Sequence, residues 1–492
     1  MKRINFENGT VTGNILNAAL PMLVAQILSL LYNIVDRIYI GRIPNIGTAA
    51  LGAVGLCFPL IMIITACSNL FGSGGAPLFS INRGMDDNHK ANTILNTSFS
   101  MVCASSILLM LVGLIFSKPL LILFGASKNA LIYARPYMMI YLLGTLPAMI
   151  STGMNPFINA QGYSTTGMFS VVIGAVANII LDPLFIFMLG LGVNGAAIAT
   201  VISQILSAAF VFYFLRRKAE LKVRLLRKTE LHSCLSIAKN IITLGTSGFI
   251  MQLTNSLVSI CCNNVLYVTG GDVYVSVMTI VSSVRQMVET PIYAITEGSS
   301  PIISYNYGAR RPERVKKAGI VMAVMALIYT GIMWSVIILA PKYLIKIFSS
   351  DATLIKDVVP ALKLYFAAFI FMDLQYIGQT VFKSLNKRTQ AIFFSLLRKV
   401  FIVVPLTYIL PHTFKMGTNG VFMAEPVSNV IGGSMCFITM LATVLPELNR
   451  MKDTPLFPSQ DTLHMQFPST PSTTVSKKEK ESSFFNYNQE TK

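Results

Sequence analysis

Long apolar runs without charged side chains recur along this chain of 492 residues. Residues 94–116 contain no Asp, Glu, Lys or Arg, and neither do residues 319–340. About 20 mostly apolar residues in a helix cross the roughly 30 Å hydrocarbon layer of a bilayer. Outer-membrane barrels are built instead from alternating segments of about ten residues. The pattern therefore predicts an all-α polytopic membrane protein.

The composition agrees with this prediction. Hydrophobic residues make up 53% of the chain and charged residues 12%, whereas soluble domains carry about 25% charged residues. The net charge is +18, but the basic residues cluster in short loops between apolar runs. That clustering is the positive-inside pattern of membrane proteins, so we expect no nucleic-acid partner. The seven cysteines form no CxxC pair, and we expect them to be small buried hydrophobes.

Twelve transmembrane helices are predicted, six in each half of the chain. The first six lie near residues 15–40, 51–80, 94–116, 134–157, 165–189 and 194–215. The last six lie near residues 241–268, 273–301, 318–340, 357–383, 390–411 and 419–445. The sequence thus predicts an N-terminal six-helix lobe over residues 1–215 and a C-terminal six-helix lobe over residues 241–447.

The segments outside the two lobes are polar. Residues 216–240 join the lobes and carry a basic run, which predicts a cytoplasmic linker. Both chain termini are then cytoplasmic, and we expect the protein in the inner (plasma) membrane. Residues 448–492 are rich in Ser, Thr, Pro, Lys and Glu, a composition that predicts a disordered cytoplasmic tail.

The two halves also share sequence. Residues 77–84 (PLFSINRG) resemble residues 301–308 (PIISYNYG) at an offset of 224, and residues 192–195 (GVNG) resemble residues 417–420 (GTNG) at an offset of 225. Because each copy holds six spans, both copies have the same orientation in the membrane. Such a parallel repeat is related by an axis along the membrane normal. It predicts pseudo-symmetric lobes that give alternating access to a central cavity.

Four motifs resemble one transporter family. They are Tyr32-Asn33-x-x-Asp36-x-x-Tyr39-Ile40-Gly41, Asn178-x-x-x-Asp182-Pro183, Asn194-Gly195-Ala-Ala-Ile-Ala-Thr200 and the run of residues 301–309. In this order on a doubled six-span pattern, they resemble the multidrug and toxic compound extrusion (MATE) family, in the MepA-like part of its DinF-like branch. The resemblance covers residues 10–447. It implies cation-coupled export of organic, often cationic drugs, with a cation site at Asp36, Asn178, Asp182 and Thr200.

The same residues suit a cation site on chemical grounds. A carboxylate in mid-span, such as Asp36, costs about 2.5 kcal/mol or more to insert, so it is not expected to face lipid. Asn178 and Asp182 lie four residues apart, on one helix face. With the hydroxyl of Thr200 and a carbonyl freed by Pro183, they form an all-oxygen set. Such a set suits Na⁺ or H⁺ rather than a transition metal, and if the ion is Na⁺ these residues are its ligands. A buried polar network that only joins helices is the alternative.

The repeat assigns this site to one lobe. The positions equivalent to Asn178 and Asp182 in the second copy are Val403 and Thr407. A symmetric structural role is therefore not expected, and coupling is predicted in the first lobe alone. There Asp36 and Asp182 are expected to titrate as one coupled pair.

Candidate residues of the substrate cavity are polar, charged or aromatic side chains within the spans. Aromatic rings attract organic cations, and acids attract them by charge. In the second lobe, an Arg and a Glu four residues apart can instead form an internal ion pair. Glu425, the repeat counterpart of Thr200, is predicted near the outer end, where it reaches water; the alternative is that it attracts cationic drugs or forms a second ion site with the other acids of this lobe. The cavity candidates are Tyr32, Tyr137, Tyr141, Gln252, Arg285, Glu289 and Asp373.

The sequence therefore predicts a secondary active multidrug exporter, an antiporter coupled to H⁺ or Na⁺. It needs no cofactor, binds amphipathic and cationic small molecules, contacts membrane lipid and is expected to be a monomer. The alternative is a flippase for a lipid-linked sugar, which would require a strongly basic cavity. Arg285 is the main mid-span cation expected, and Glu289 lies beside it. An enzyme is not expected, because no His lies in mid-span beside an acid or Ser.

Overall fold

The computed structural model describes residues 3–453 except residues 45, 125, 227–230 and 348–351. Every regular element in these residues is helical, which confirms the predicted all-α fold. Twelve long helical segments form a first half, α1–α6, and a second half, α7–α12. They are α1 Val11–Gly41, α2 Gly47–Gly84, α3 Asn88–Ile115, α4 Lys128–Leu143 with Thr145–Ala160, α5 Ser164–Met188, α6 Gly192–Lys218, α7 and α8 within Leu231–Gly308, α9 Pro312–Leu339, α10 Ala352–Tyr365 with Phe369–Ser384, α11 Arg388–His412 and α12 Thr418–Lys452.

The length and composition of these helices fit a multi-pass membrane protein. Among the described residues, nine helices are long and apolar enough to cross a membrane, and the two bent parts of α4 make a tenth. Helices α8 and α10 complete the set of twelve. Gly271, with a φ of 71°, separates α7 from α8, and glycine adopts this left-handed backbone without steric cost. Most of the predicted tail lies beyond the described residues.

Several of the helices are interrupted. The two parts of α4 meet at a bend of 55° around Gly144. Helix α10 is broken between Tyr365 and Phe369. Helix α5 widens into a π-helical turn over Leu184–Met188, directly after Pro183, and α11 widens similarly over Leu397–Val403. Proline lacks the N–H of a regular helical turn, and wide turns of this kind are frequent at functional sites.

The hydrophobic core consists of three clusters. One lies in the first half and one in the second. The third joins Phe6, Val11, Ile15 and Ala18 to side chains of α8, α9, α10, α11 and α12. The start of α1 thus packs against the second half, while Ile40 at its other end belongs to the cluster of the first half.

The halves are in closest contact at the terminal side, the end of the bundle where α1 begins and α12 ends. A Cβ on Gly245 of α7 would lie 1.8 Å from the Leu70 carbonyl oxygen of α2. A Cβ on Gly308 of α8 would lie 1.9 Å from the carbonyl oxygen of Ile81. Only glycine permits such an approach, so α2 packs backbone to backbone against α7 and α8.

Nearer the opposite, distal side, α7 and α8 border an open groove. Its volume is about 230 Å³. The lining is mostly polar and includes Ser259 and Asn263 of α7 and Thr279, Ser282 and Gln286 of α8. The two ends of the bundle therefore differ: the halves are packed together at the terminal side, and a polar groove is open toward the distal side.

We expect Gly245→Ala to lower the stability of the protein. The added methyl group would overlap the Leu70 carbonyl and force α2 and α7 apart, at a cost of about 1–3 kcal/mol. Gly248→Ala is the matched control, since its Cβ would meet only the Ser73 hydroxyl at 3.5 Å. Thermal unfolding in detergent measures both variants. Equal unfolding temperatures for the two would contradict the close packing described.

Candidate functional site

Four polar residues meet in the first half, on three neighbouring helices. Asp36 lies on α1, Asn178 and Asp182 on α5, and Thr200 on α6; α5 packs against both of the other helices. The Asn178 side-chain amide donates to Asp182 Oδ1 at 3.1 Å and to Thr200 Oγ1 at 3.5 Å. The carboxyl groups of Asp36 and Asp182 lie close enough to act on each other. The structure therefore brings all four predicted residues together.

Several oxygen atoms of this group are buried without a donor. Asp182 and Asn178 are 0% and 2% exposed, and Asp36 is half-buried. Asp36 Oδ1, Asp182 Oδ2 and Asn178 Oδ1 accept no hydrogen bond from the described residues. A buried acceptor without a partner costs about 1–3 kcal/mol. A proton between the two carboxyl groups, or a cation among these oxygens, would remove that cost, so the donor set fits H⁺ or Na⁺.

The local sequence of α5 places Asp182 at an irregular turn. Pro183 cannot donate to the carbonyl of Ile179, four residues earlier. The helix then widens over Leu184–Met188. The irregular turn therefore lies directly after Asp182 and Pro183.

Three tyrosines lie near Asp36. The rings of Tyr137 and Tyr141 on α4 stack with centroids 6.2 Å apart and an interplanar angle of 18°. The amide of Gln204 on α6 donates to the Tyr141 hydroxyl at 3.4 Å. The charge of Asp36 acts on these two rings and on Tyr32, one turn earlier on α1. The aromatic cavity candidates thus lie near the acid pair, and carboxylates and aromatic rings together attract organic cations.

Gln252 lies where the two halves meet. Its Oε1 accepts a hydrogen bond from Asn69 of α2 at 3.5 Å, and its Nε2 lies 3.8 Å from the sulfur of Met62. The structure therefore places Gln252 between α2 and α7, away from the acid pair.

The charged candidates of the second half form two separate groups. Arg285 Nε and Glu289 Oε1 on α8 are 3.7 Å apart, and Arg285 also donates to the Tyr365 hydroxyl at 3.4 Å. The internal ion pair considered from the sequence is thus present. Asp373 of α10 is fully buried beside Thr330 of α9, so it does not join this pair.

One prediction about the second half is wrong. Glu425 does not reach water; it is 3% exposed and contacts two buried cations of α11. Its Oε1 lies 2.8 Å from Lys399 Nζ and 3.4 Å from Arg398 Nη1, and Arg398 also donates to Asn429. The position of Glu425 follows from the packing of α12 against α11, where these cations provide its counter-charge.

The expectation that Arg285 is the main mid-span cation is wrong for the same reason. Arg398 and Lys399 are 4% and 2% exposed, and sequence analysis did not single them out. A signal was present, because two adjacent basic residues inside a predicted span are costly to expose to lipid and require a partner. The interior of the second half is therefore richer in cations than predicted.

Comparison with known proteins gives the same family as the motifs. Residues 21–184 and 248–409 match the MatE family. The multidrug export protein MepA of Staphylococcus haemolyticus is 24% identical over 449 residues, which cover 91% of this chain and 96% of that protein. The multidrug export protein MepA of Staphylococcus aureus is 24% identical over 440 residues, which cover 89% and 94%.

Solved structures share the fold. A crystal structure of MATE in the bent conformation is 22% identical, with a TM-score of 0.85, over 92% of this chain and 100% of that chain. An outward-facing multidrug resistance MATE family transporter of the MOP superfamily is 23% identical, with a TM-score of 0.83, over 92% and 99%. With the family match covering well over half of its residues, this chain belongs to the MATE family of membrane transporters.

Proposed function

We propose that this protein exports amphipathic, cationic drugs across the cell membrane in exchange for H⁺ or Na⁺. The observation that carries the proposal is that one carboxyl oxygen of Asp36 and one of Asp182 are buried with Asn178 Oδ1, and none of the three has a donor in the described chain. Acidic residues inside membrane spans are costly to bury and usually mark functional sites. The multidrug export proteins among the relatives support drugs as the substrates.

In the proposed cycle, the two halves alternate between states open to either side of the membrane. A cation from outside binds between Asp36 and Asp182 and favours the state that faces the cytoplasm. A drug then binds beside Tyr32, Tyr137 and Tyr141, where its positive charge competes with the cation for the same carboxyl groups. Competition for one charge couples the two flows, because the site does not hold both ligands tightly at once.

Efflux from proteoliposomes tests this function. The purified protein is reconstituted with a cationic dye inside, and a Na⁺ gradient or a pH gradient is imposed. We expect one of the two gradients to drive dye movement, which identifies the coupling ion. Equal dye movement with and without both gradients would contradict cation-coupled export.

We predict that the basic linker faces the cytoplasm. Lys222 is exposed, and neighbouring residues of this linker are basic, which favours the cytoplasmic side. A cysteine at Lys222 should resist an impermeant thiol reagent in intact cells, whereas a cysteine at exposed Lys128, on the distal side, should react. The described native cysteines are buried or half-buried. Reaction at Lys222 with protection at Lys128 would show the opposite orientation.

Flipping of a lipid-linked sugar is the second candidate function. A flippase of this kind requires a basic interior, and the two buried cations of α11 make the second half more basic than the sequence predicts. Arg398 and Lys399 could attract an anionic lipid group, but both are buried and paired with Glu425. That pairing reduces the charge available to a lipid. Proteoliposomes with a labelled anionic lipid distinguish the candidates, since an exporter of cationic drugs should move the dye and leave the lipid in place.

A further inference from the structure

Residues 3–10 precede α1 and lie across the terminal side, where they contact both halves. Two contacts attach them to the first half. The backbone N–H of Ile4 donates to the carbonyl of Gly162 at 2.9 Å. The guanidinium of Arg3 lies 2.8 Å from Glu220, which also pairs with Arg83 at the end of α2 at 2.6 Å.

Residues 6–9 are attached to the second half. Arg311, just before α9, binds the Glu7 carboxylate at 2.5 Å and the Glu7 carbonyl at 3.1 Å. Arg314 donates to the carbonyl of Gly9 at 3.2 Å. Asn306 of α8 donates to the carbonyl of Phe6 at 3.2 Å, and the Phe6 side chain is 5% exposed. One short segment therefore ties together the ends of the two halves.

The repeat shows that Arg311 is placed unusually for a helix start. Its counterpart in the first half is Asp87, whose carboxylate caps α3 by accepting from the N–H of Lys90 at 2.8 Å. Arg311 occupies the same position before α9 but gives no side-chain cap. A cation at a helix N-terminus is unfavourable because it meets the positive end of the helix dipole. Glu7 supplies a negative charge directly beside Arg311.

We propose that residues 3–10 form a clamp that holds the terminal side closed and must release the second half in each transport cycle. The proposal rests on the alternating access of the proposed function. The two helix pairs that touch through glycine at this side, α2 with α7 and α2 with α8, have to separate for a drug to enter there. The clamp crosses the same junction and leads into α1, which packs against α5 of the first half, so opening would break its contacts with Arg311, Arg314 and Asn306.

Arg311→Asp tests the clamp with little risk to folding, because it restores the capping residue found at the repeat position. It removes the partner of Glu7 and introduces repulsion. In a protein with a reporter cysteine at Ser73, half-buried on α2 near the junction, we expect thiol labelling from the terminal side to become about fivefold faster, the upper range for an exposed ion pair. The charge swap Glu7→Arg/Arg311→Asp should return the labelling rate toward the original value.

The control is Lys317→Asp, which changes charge equally at an exposed position of α9 outside the clamp. Equal labelling rates for Arg311→Asp and Lys317→Asp would overturn the proposal. This labelling does not depend on transport, so it remains informative if the protein exports no drug. The labelling result therefore tests the clamp, and the efflux result tests the proposed function, so that either proposal can fail without the other.

A reversible cross-link tests whether the clamp must open. Cysteines at Glu7 and Arg311 are joined with a bifunctional thiosulfonate long enough to replace the two side chains. We expect dye export to fall more than tenfold and to recover when a reducing agent cleaves the link, while each single-cysteine protein is unaffected by the reagent. Export at the full rate by the linked protein would show that the clamp stays closed throughout the cycle, contrary to the proposal.

Discussion

Asp36→Asn is expected to abolish cation-coupled drug export while the protein still inserts and folds. The Asn side chain keeps the shape of Asp and can donate to the facing Asp182 carboxylate, so packing between α1 and α5 should survive. The variant loses the charge that attracts a cation and the group that releases a proton. The loss should be complete, because the described oxygen set contains only one other carboxylate. Dye efflux from proteoliposomes, corrected for the amount of protein inserted, measures the effect.

Asp86→Asn is the matched control for this substitution. Asp86 is exposed in the turn between α2 and α3, and its φ of 59° is one that Asn also adopts readily. Its efflux rate should equal that of the unchanged protein. Efflux at the normal rate by Asp36→Asn would place the coupling site elsewhere in the chain.

Glu425→Gln is expected to destabilise the protein by about 3–5 kcal/mol, the usual cost of breaking a buried ion pair from one side. The change leaves Lys399 and Arg398 buried without the counter-charge they now contact. The double variant Lys399→Met/Glu425→Gln removes one positive and one negative charge, so it should recover a large part of the stability that Glu425→Gln loses. The midpoint of unfolding in detergent measures both variants.

Glu313→Gln provides the comparison for Glu425. Glu313 also pairs with two lysines, but its side chain is 63% exposed, and exposed pairs contribute about 0.2–1 kcal/mol. The Glu313 variant should therefore unfold close to the original midpoint. If Glu425→Gln lowered the unfolding midpoint as little as Glu313→Gln does, the α11 cations would be stabilised by other groups.

The fold was predictable because uncharged apolar runs of this length have few alternatives to membrane helices. The breaks in α4 and α10 were not, since a bend depends on how neighbouring helices pack. The acid pair was predictable because carboxylates in mid-span need partners, and the four-residue spacing places Asn178 and Asp182 on one face. The pairing of Glu425 with Lys399 was missed because the depth and rotation of α11 and α12 decide it. The clamp was missed because residues 3–10 have no periodic pattern.

Asp36 and Asp182 are proposed to form one cation site, and a double-mutant cycle tests whether they share a cation. Asp36→Asn, Asp182→Asn and the double variant are compared in the concentration of Na⁺ or H⁺ that releases bound dye. Groups that share a ligand are coupled, by about 0.5–3 kcal/mol for residues in contact. We predict that the second substitution changes cation affinity much less once the first is present. If the two single effects on cation affinity add, the two carboxyl groups bind no common cation, and this proposal is contradicted.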